Sequence, residues 1–114
     1  MDKISFDSGQ YILRREDGHA GDSGGMLISI DPSTLLPVGS NGDVIVGCRI
    51  KCGSLYARSY QSQDWWMTSV VKEIKQLADG VALITTRNNR YYVGNAKDIA
   101  SFIEVKIIPI RIDK

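Results

Sequence analysis

Several features that often reveal a protein's class are scarce or missing in this sequence. No apolar run approaches the ~20 residues needed to span a bilayer, and the chain has only two cysteines and one histidine. No internal repeat or low-complexity segment interrupts it. The first seven residues, Met1 to Asp7, include acidic side chains and lack an apolar core, so we expect no signal peptide. These absences predict a soluble, cytoplasmic protein that makes no use of a membrane.

The two cysteines are too few and too far apart for a disulfide or a metal cluster. Cys48 and Cys52 lie in a predicted strand, where a rise of ~3.3 Å per residue separates them by ~13 Å. A disulfide needs Cα atoms within about 7 Å, so free thiols in a reducing compartment are expected. Only His19 could join them at a metal, and a closed zinc site wants four ligands. We therefore predict neither a metal nor another cofactor.

Length and composition are those of an ordinary globular protein. The 114 residues, 43% hydrophobic and 24% charged, fit one domain spanning 1–114. The net charge of +1 is unevenly distributed, because residues 1–43 carry a net −4 and residues 44–92 a net +4. Such segregation suits either a field that steers an acidic partner or a solvated face of mixed charge.

The chain is organised around the stretch from Trp65 to Val93, whose pattern predicts a pair of hairpins. Asp79-Gly80 and Asn88-Asn89 are typical turn pairs, and Asn-Asn predicts a type I′ turn with positive φ at both residues. The part from Trp65 to Leu77 is ambiguous, since its apolar residues also follow a helical i, i+3, i+4 spacing. Its β-branched run favours a strand, and a helix at 65–77 is the alternative.

The remaining segments are mostly β in pattern. A flexible loop is expected at Gly18 to Gly25, and a short helix from Asn95, the predicted N-cap, to Ile103. The predicted strands are Gln10–Arg15, Met26–Ile30, Val44–Cys52 with a bend at Gly47, and Val105–Ile112, and Leu35–Val38 is at most a short strand between two turns.

Together these elements predict a mainly β protein of five to seven strands, a small SH3-like or partly open barrel with one or two short helices. The alternative is an α+β fold with a helix at 65–77. Pro109 in the last strand cannot donate to a ladder and marks an edge position. Because an apolar edge tends to be covered, this C-terminal strand also predicts a homodimer.

A resemblance is carried by Trp66, Thr68-Ser69 and Val71, followed by Thr86-Arg87-Asn88 and Tyr91. This order resembles small, uncharacterised β-rich proteins of bacterial phages, plasmids and other mobile elements, some of them SH3-like. The resemblance covers about the middle third of the chain. It implies a compact, bacterial, non-secreted domain and supplies no activity.

The run Gly21-Asp22-Ser23-Gly24-Gly25 resembles the nucleophile loop of trypsin-like serine proteases. In that chemistry a histidine takes the proton of the serine, and backbone N–H groups form an oxyanion hole. The only histidine, His19, lies four residues before Ser23, and 114 residues cannot hold the separate barrel that supplies the family's histidine and aspartate. A glycine-rich loop that resembles the motif by coincidence is favoured, and a hydrolase using Ser23 and His19 is the alternative function.

The middle of the chain interleaves aromatic and basic residues, which indicates a binding surface on loops held by strands. Such surfaces stack bases and follow phosphates, or hold peptides against rings. Alternatively, some of these rings are core. We predict a non-catalytic binding module for protein or nucleic acid, with the partner class left open. Its candidate binding residues are Arg58, Tyr60, Trp65, Arg87, Arg90 and Tyr92.

Overall fold

The computed structural model describes residues 1–55 and 65–103, and the fold in these ranges is mainly β with one short helix. They contain eleven strands, more than the five to seven predicted, because several strands have only two or three residues. The strands are β1 (Lys3–Ser5), β2 (Tyr11–Arg15), β3 (Gly21–Gly24), β4 (Met26–Ile30), β5 (Pro37–Val38), β6 (Asp43–Ile45), β7 (Arg49–Gly53), β8 (Trp65–Met67), β9 (Val71–Ala78), β10 (Val81–Thr86) and β11 (Arg90–Asn95). The predicted strand Val105–Ile112 lies outside the described residues.

The strands form three antiparallel sheets. The largest has the order β3-β2-β11-β10-β9, the second the order β5-β4-β7-β8, and β1 pairs with β6. The two larger sheets approach each other where β3 lies against β7 and β8, and the Cys52 thiol donates to the Asp22 carbonyl at 3.6 Å. No closed barrel forms within the two described ranges, so the predicted mainly β class is confirmed with the sheets left open.

The main core lies between the two larger sheets. The alternation of β2 points Tyr11 and Leu13 inward, where they are 2% and 0% exposed, because successive strand residues face opposite sides. Burying a large apolar side chain contributes about 1.5–3 kcal/mol. The fully buried side chains Leu27, Ile50 and Ile84 meet Leu13 in this cluster.

The predicted hairpin pair from Trp65 to Val93 is confirmed as the sequence β9-β10-β11, with β8 joined to the other sheet. The alternative helix at 65–77 is wrong. Val71 and Ile74 both face the core although they are three residues apart, because Lys72 has no Cα partner on β10 where the register shifts. This irregularity changes the strand's period of two into a spacing of three, which imitates a helix.

Three local predictions need correction. Residues 21–24 of the expected flexible loop form β3, and the strand expected at Val44–Cys52 is divided by a turn at Gly47, whose φ is 93°. The Asn88-Asn89 turn is not type I′, since Leu35 is the only non-glycine residue with positive φ in the part of the chain that is described.

The predicted C-terminal helix is confirmed as α1 (Ala96–Phe102). Ile99 is fully buried and packs with Val81 and Tyr92 on the outer face of the five-stranded sheet. Asn95 occupies the N-cap position, but its side chain makes no cap bond and donates to Asp98 at 3.1 Å instead. Within the described ranges, no helix has the length and apolar character to span a membrane.

Candidate functional site: a cleft between two hairpin turns

Two hairpin turns that are distant in sequence lie side by side at one end of the five-stranded sheet. The pairing of β11 with β2 sets Tyr91 opposite Arg15, so the turn after β2 meets the turn between β10 and β11. The Glu16 N–H donates to the Arg90 carbonyl at 2.8 Å and joins them. An open depression of about 320 Å³ lies between the turns, and we call it the two-turn cleft. It is lined by Arg15, Glu16, Asp17, Thr85, Thr86, Arg87, Asn88, Asn89 and Arg90.

One wall of the cleft is fixed by a two-pronged contact between Arg15 and Asp17. The Arg15 Nε lies 2.9 Å and 3.0 Å from the two carboxylate oxygens of Asp17, and its Nη2 lies 2.8 Å from Oδ2. The hydrogen bond from Arg15, with a second from the His19 N–H, lowers the pKa of Asp17 to about 2. Asp17 is therefore ionised at neutral pH and holds the Arg15 guanidinium in one orientation.

The opposite wall carries a second ion pair and a third guanidinium. Arg90 Nη2 lies 2.6 Å from the Glu16 carboxylate, so the two turns are also joined through their side chains. Arg87 is exposed, and it makes no ion pair within residues 1–55 and 65–103. The cleft thus has three cations and two carboxylates, with both carboxylates already engaged.

The turn that presents Arg87 is held by a buried threonine. Thr86 is 4% exposed, its N–H donates to the Asn89 carbonyl at 2.8 Å, and its hydroxyl donates to the same oxygen at 2.9 Å. The Asn89 N–H donates to Thr86 Oγ1 at 3.2 Å. These bonds fix a turn without positive φ, which is why the predicted type I′ geometry is not needed.

The structure brings two of the predicted binding residues together in the cleft and places two others, Tyr92 and Trp65, elsewhere. Arg87 and Arg90 line it. Tyr92 is only 7% exposed and packs on Phe102 at a ring separation of 6.1 Å, on the outer face of the sheet. Trp65 is half-buried on β8, with the Lys51 ammonium 4.6 Å from its ring centre. Arg58 and Tyr60 lie outside the described residues.

Sequence reasoning missed the acidic half of the cleft. The sequence pattern predicts only that the strand Gln10–Arg15 ends here, and it assigns no role to Glu16 and Asp17. Their signal is a block of charge in a tight turn, and the sequence does not show which other turn this block faces.

The protease-like run has a structural explanation in the packing of β3. A Cβ at Gly21 would overlap the Leu13 carbonyl oxygen, and a Cβ at Gly24 would overlap the Gly53 carbonyl oxygen. Ser23 is exposed in the middle of the strand, and its N–H donates to Asp22 Oδ1 at 2.7 Å. An oxyanion hole needs its N–H groups aimed at a substrate oxygen, so this N–H is already used. His19 lies in the preceding turn, outside the strand that carries Ser23.

The thiols and the comparisons add no other site. Cys48 and Cys52 are free and buried, and burial raises the pKa of Cys52 to about 12. The two described ranges contain no group of three histidine, cysteine or acidic side chains placed to hold a metal. Models of known protein families, curated proteins and solved structures were all compared with the chain, and none matches. The two-turn cleft is the site from which function is inferred.

Proposed function

We propose that the protein is a non-catalytic binding module that holds an acidic segment of a partner protein in the two-turn cleft. The observation that carries the proposal is the Arg87 guanidinium, which lines the cleft together with two engaged ion pairs and makes no ion pair with a described residue itself. Arg15 and Arg90 are each held by a carboxylate. Among the three arginines that line the cleft, Arg87 is therefore the one whose donors are open to a ligand.

The chemistry of arginine explains why a carboxylate fits this position. A guanidinium presents a planar fork of donors that matches a carboxylate with two parallel hydrogen bonds. Because Thr86 fixes the turn, less conformational freedom is lost on binding than for an arginine on an unrestrained loop. Asn88 and Asn89 beside it add amide groups that can bond the ligand's backbone.

The charges in the cleft favour a protein over a nucleic acid. Glu16 and Asp17 line the same cleft as the arginines, so a continuous line of phosphates would meet two negative charges. A side-chain carboxylate is a single charge that can contact Arg87 and avoid them. The net charge of the whole chain, +1, also gives little of the general attraction on which nucleic-acid binding depends.

A second part of the proposed contact surface is aromatic. Arg58, Tyr60 and Trp65 are proposed as further contacts, because tryptophan, tyrosine and arginine most often anchor interfaces. The support from geometry is the half-buried Trp65 ring with Lys51 beside it.

We further propose a bacterial mobile-element origin, a cytoplasmic location and a homodimer through the C-terminal strand. The mobile-element origin is supported by the resemblance carried by Trp66 to Tyr91. The cytoplasmic location is supported by the two free, buried thiols. The third is supported only by the apolar pattern of Ile108, Ile110 and Ile112 around Pro109. Sedimentation of an Ile110→Asp variant tests the third, which predicts weaker self-association than in the wild type.

Fluorescence polarisation tests the binding proposal, with a labelled decapeptide of glutamate and alanine as the probe. We expect Arg87→Ala to weaken binding at least about tenfold, the loss expected for one charge-assisted hydrogen-bonded pair. Arg14→Ala is the matched control, because Arg14 is exposed but does not line the cleft, and it should bind like the wild type.

A labelled single-stranded oligonucleotide of thymidines provides the competing arm of the same assay. Tight binding that falls steeply with salt would identify a nucleic-acid partner and overturn the acidic-peptide proposal. Equal peptide affinity for the Arg87→Ala and Arg14→Ala variants would overturn the assignment of the cleft. Absence of peptide binding by the wild type would overturn both the acidic-peptide proposal and the assignment of the cleft.

A further inference from the structure

The five-stranded sheet ends in a long strand, β9, whose outer edge is largely unpaired by the residues that the structure describes. Only its first residue is covered there, since the Val71 N–H donates to the Cys48 carbonyl and the Gly47 N–H donates to the Val71 carbonyl. For residues 72–78, no backbone bond on that side is made to any described residue. An open edge of this kind presents N–H and C=O groups that can pair with another strand.

Two irregularities limit the length of β9 that can pair with another strand. Lys72 and Leu77 have no Cα partners on β10, where the register shifts twice. Irregularities of this kind twist an edge away from general pairing. The regular run Glu73–Gln76 between them is therefore the segment that remains suited to a short, specific pairing.

The charges on this run are self-complementary in one antiparallel register only. Glu73 and Lys75 are exposed and lie on the outer face, while Ile74 points into the core and is 3% exposed. When two copies of the strand pair, their core-facing side chains must lie on the same side of the joined sheet. This requires the two-fold axis to pass through a residue of the run and not between two residues. An axis at Glu73 or at Lys75 would put like charges opposite each other, whereas an axis at Ile74 places each Glu73 opposite a Lys75 of the other copy.

We propose that β9 pairs antiparallel with β9 of a second copy of this chain, with the two-fold axis at Ile74. The two five-stranded sheets then form one continuous ten-stranded sheet, and two Glu73 to Lys75 pairs flank the axis. An axis at Gln76 would draw the Leu77 irregularity into the pairing, so it does not compete. The interface is isologous, as the two-fold symmetry of a homodimer requires. It is separate from the two-turn cleft and does not depend on the proposed function.

Charge reversal tests the register directly by sedimentation over a range of protein concentrations. Glu73→Lys and Lys75→Glu each replace both attractive pairs by repulsive ones, so each should raise the dimer dissociation constant about tenfold. The double variant, with the two charges exchanged, should dimerise like the wild type. An equimolar mixture of the two single variants should form a heterodimer, because both pairs are then opposite in charge. Arg87→Ala should leave dimerisation unchanged.

Circular dichroism first establishes that each variant keeps the β-rich fold, which these exposed positions should allow. A wild type that stays monomeric at millimolar concentration overturns the proposal. A dimer that is insensitive to both single reversals also overturns it and moves the interface to another surface. Failure of the mixture to form a heterodimer overturns the register at Ile74.

Discussion

At the residue scale, the glycines of the Gly21–Gly25 run are fixed by how closely β3 approaches its neighbours. Gly24 has a φ of 151° and its missing Cβ would overlap the Gly53 carbonyl oxygen, while Gly18 has a φ of 81° and open space within 4 Å. We expect Gly24→Ala to lower the free energy of unfolding by about 3 kcal/mol or more, because backbone must move. Gly18→Ala should cost only about 1 kcal/mol from its backbone conformation. Urea denaturation measures both, and equal losses would contradict the packing explanation.

Ser23 belongs to the same run, and its surroundings favour a structural role. Its N–H is engaged by Asp22, and the glycines that complete the motif are explained by packing. We therefore expect no labelling of Ser23 by a fluorophosphonate probe. Labelling that disappears in both Ser23→Ala and His19→Ala would instead establish the hydrolase.

Asp43 is a nearly buried carboxylate, 8% exposed, that links β1 and β6 to the loop before β6. The Ser40 N–H, the Ser5 hydroxyl and then Lys3 lower its pKa below the usual value of 3.8. Because the folded pKa is depressed, the stabilisation is complete above that usual value and is lost as the pH falls through the folded pKa.

Asp43→Asn removes the charge and keeps the shape, so it isolates this effect. At pH 7 the variant should be less stable than the wild type by about 1–3 kcal/mol, and the difference should shrink as the pH falls below 3.8. The control Asp2→Asn, at an exposed position, should show almost no difference at either pH. A stability difference between the wild type and Asp43→Asn that stays constant with pH would contradict the role of the carboxylate.

At the element scale, the sequence predicts strands well where turn chemistry is local. Asp79-Gly80 marks the turn between β9 and β10, and Gly80 has the expected positive φ of 75°. Prediction fails where tertiary contacts decide the secondary structure. The run of β3 forms a strand because its glycines fit closely against Leu13 and Gly53, and its glycine-rich composition predicts a loop instead. The helical signal at 65–77 misleads because the irregularity at Lys72 resets the alternation.

The turn between β10 and β11 links fold and site through Thr86. Thr86→Val keeps the shape but leaves two backbone groups of Asn89 without the hydroxyl, so we expect a loss of about 1–2 kcal/mol in unfolding free energy. It should also weaken peptide binding, since Arg87 is presented by this turn. Thr86→Ser keeps the hydroxyl and should restore most of both. Thermal unfolding and fluorescence polarisation measure the two effects, and normal binding by Thr86→Val would show that the turn does not position Arg87.

At the scale of the whole molecule, the two-turn cleft exists because distant segments pair. Arg87 and Arg90 are identifiable from sequence as basic residues flanking a turn. Arg15, Glu16 and Asp17 are not, because only the pairing of β11 with β2 brings them there. The burial of Tyr92 is likewise not identifiable from local sequence, because its ring is covered by the helix that follows β11. Local composition predicts which residues can bind, and the sheet order decides which of them meet.

The most direct test of the acidic-peptide cleft is a map of backbone amide shifts by NMR, recorded while the glutamate and alanine decapeptide is added to the labelled protein. The binding proposal predicts that the largest shifts fall on residues 15–19 and 85–90, with small shifts on β9 and on the Gly21–Gly25 run. Arg87→Ala should reduce these shifts at the same peptide concentration, whereas Arg14→Ala should leave them unchanged. Shifts that cluster away from both turns, or that persist in Arg87→Ala, would contradict the cleft as the binding site.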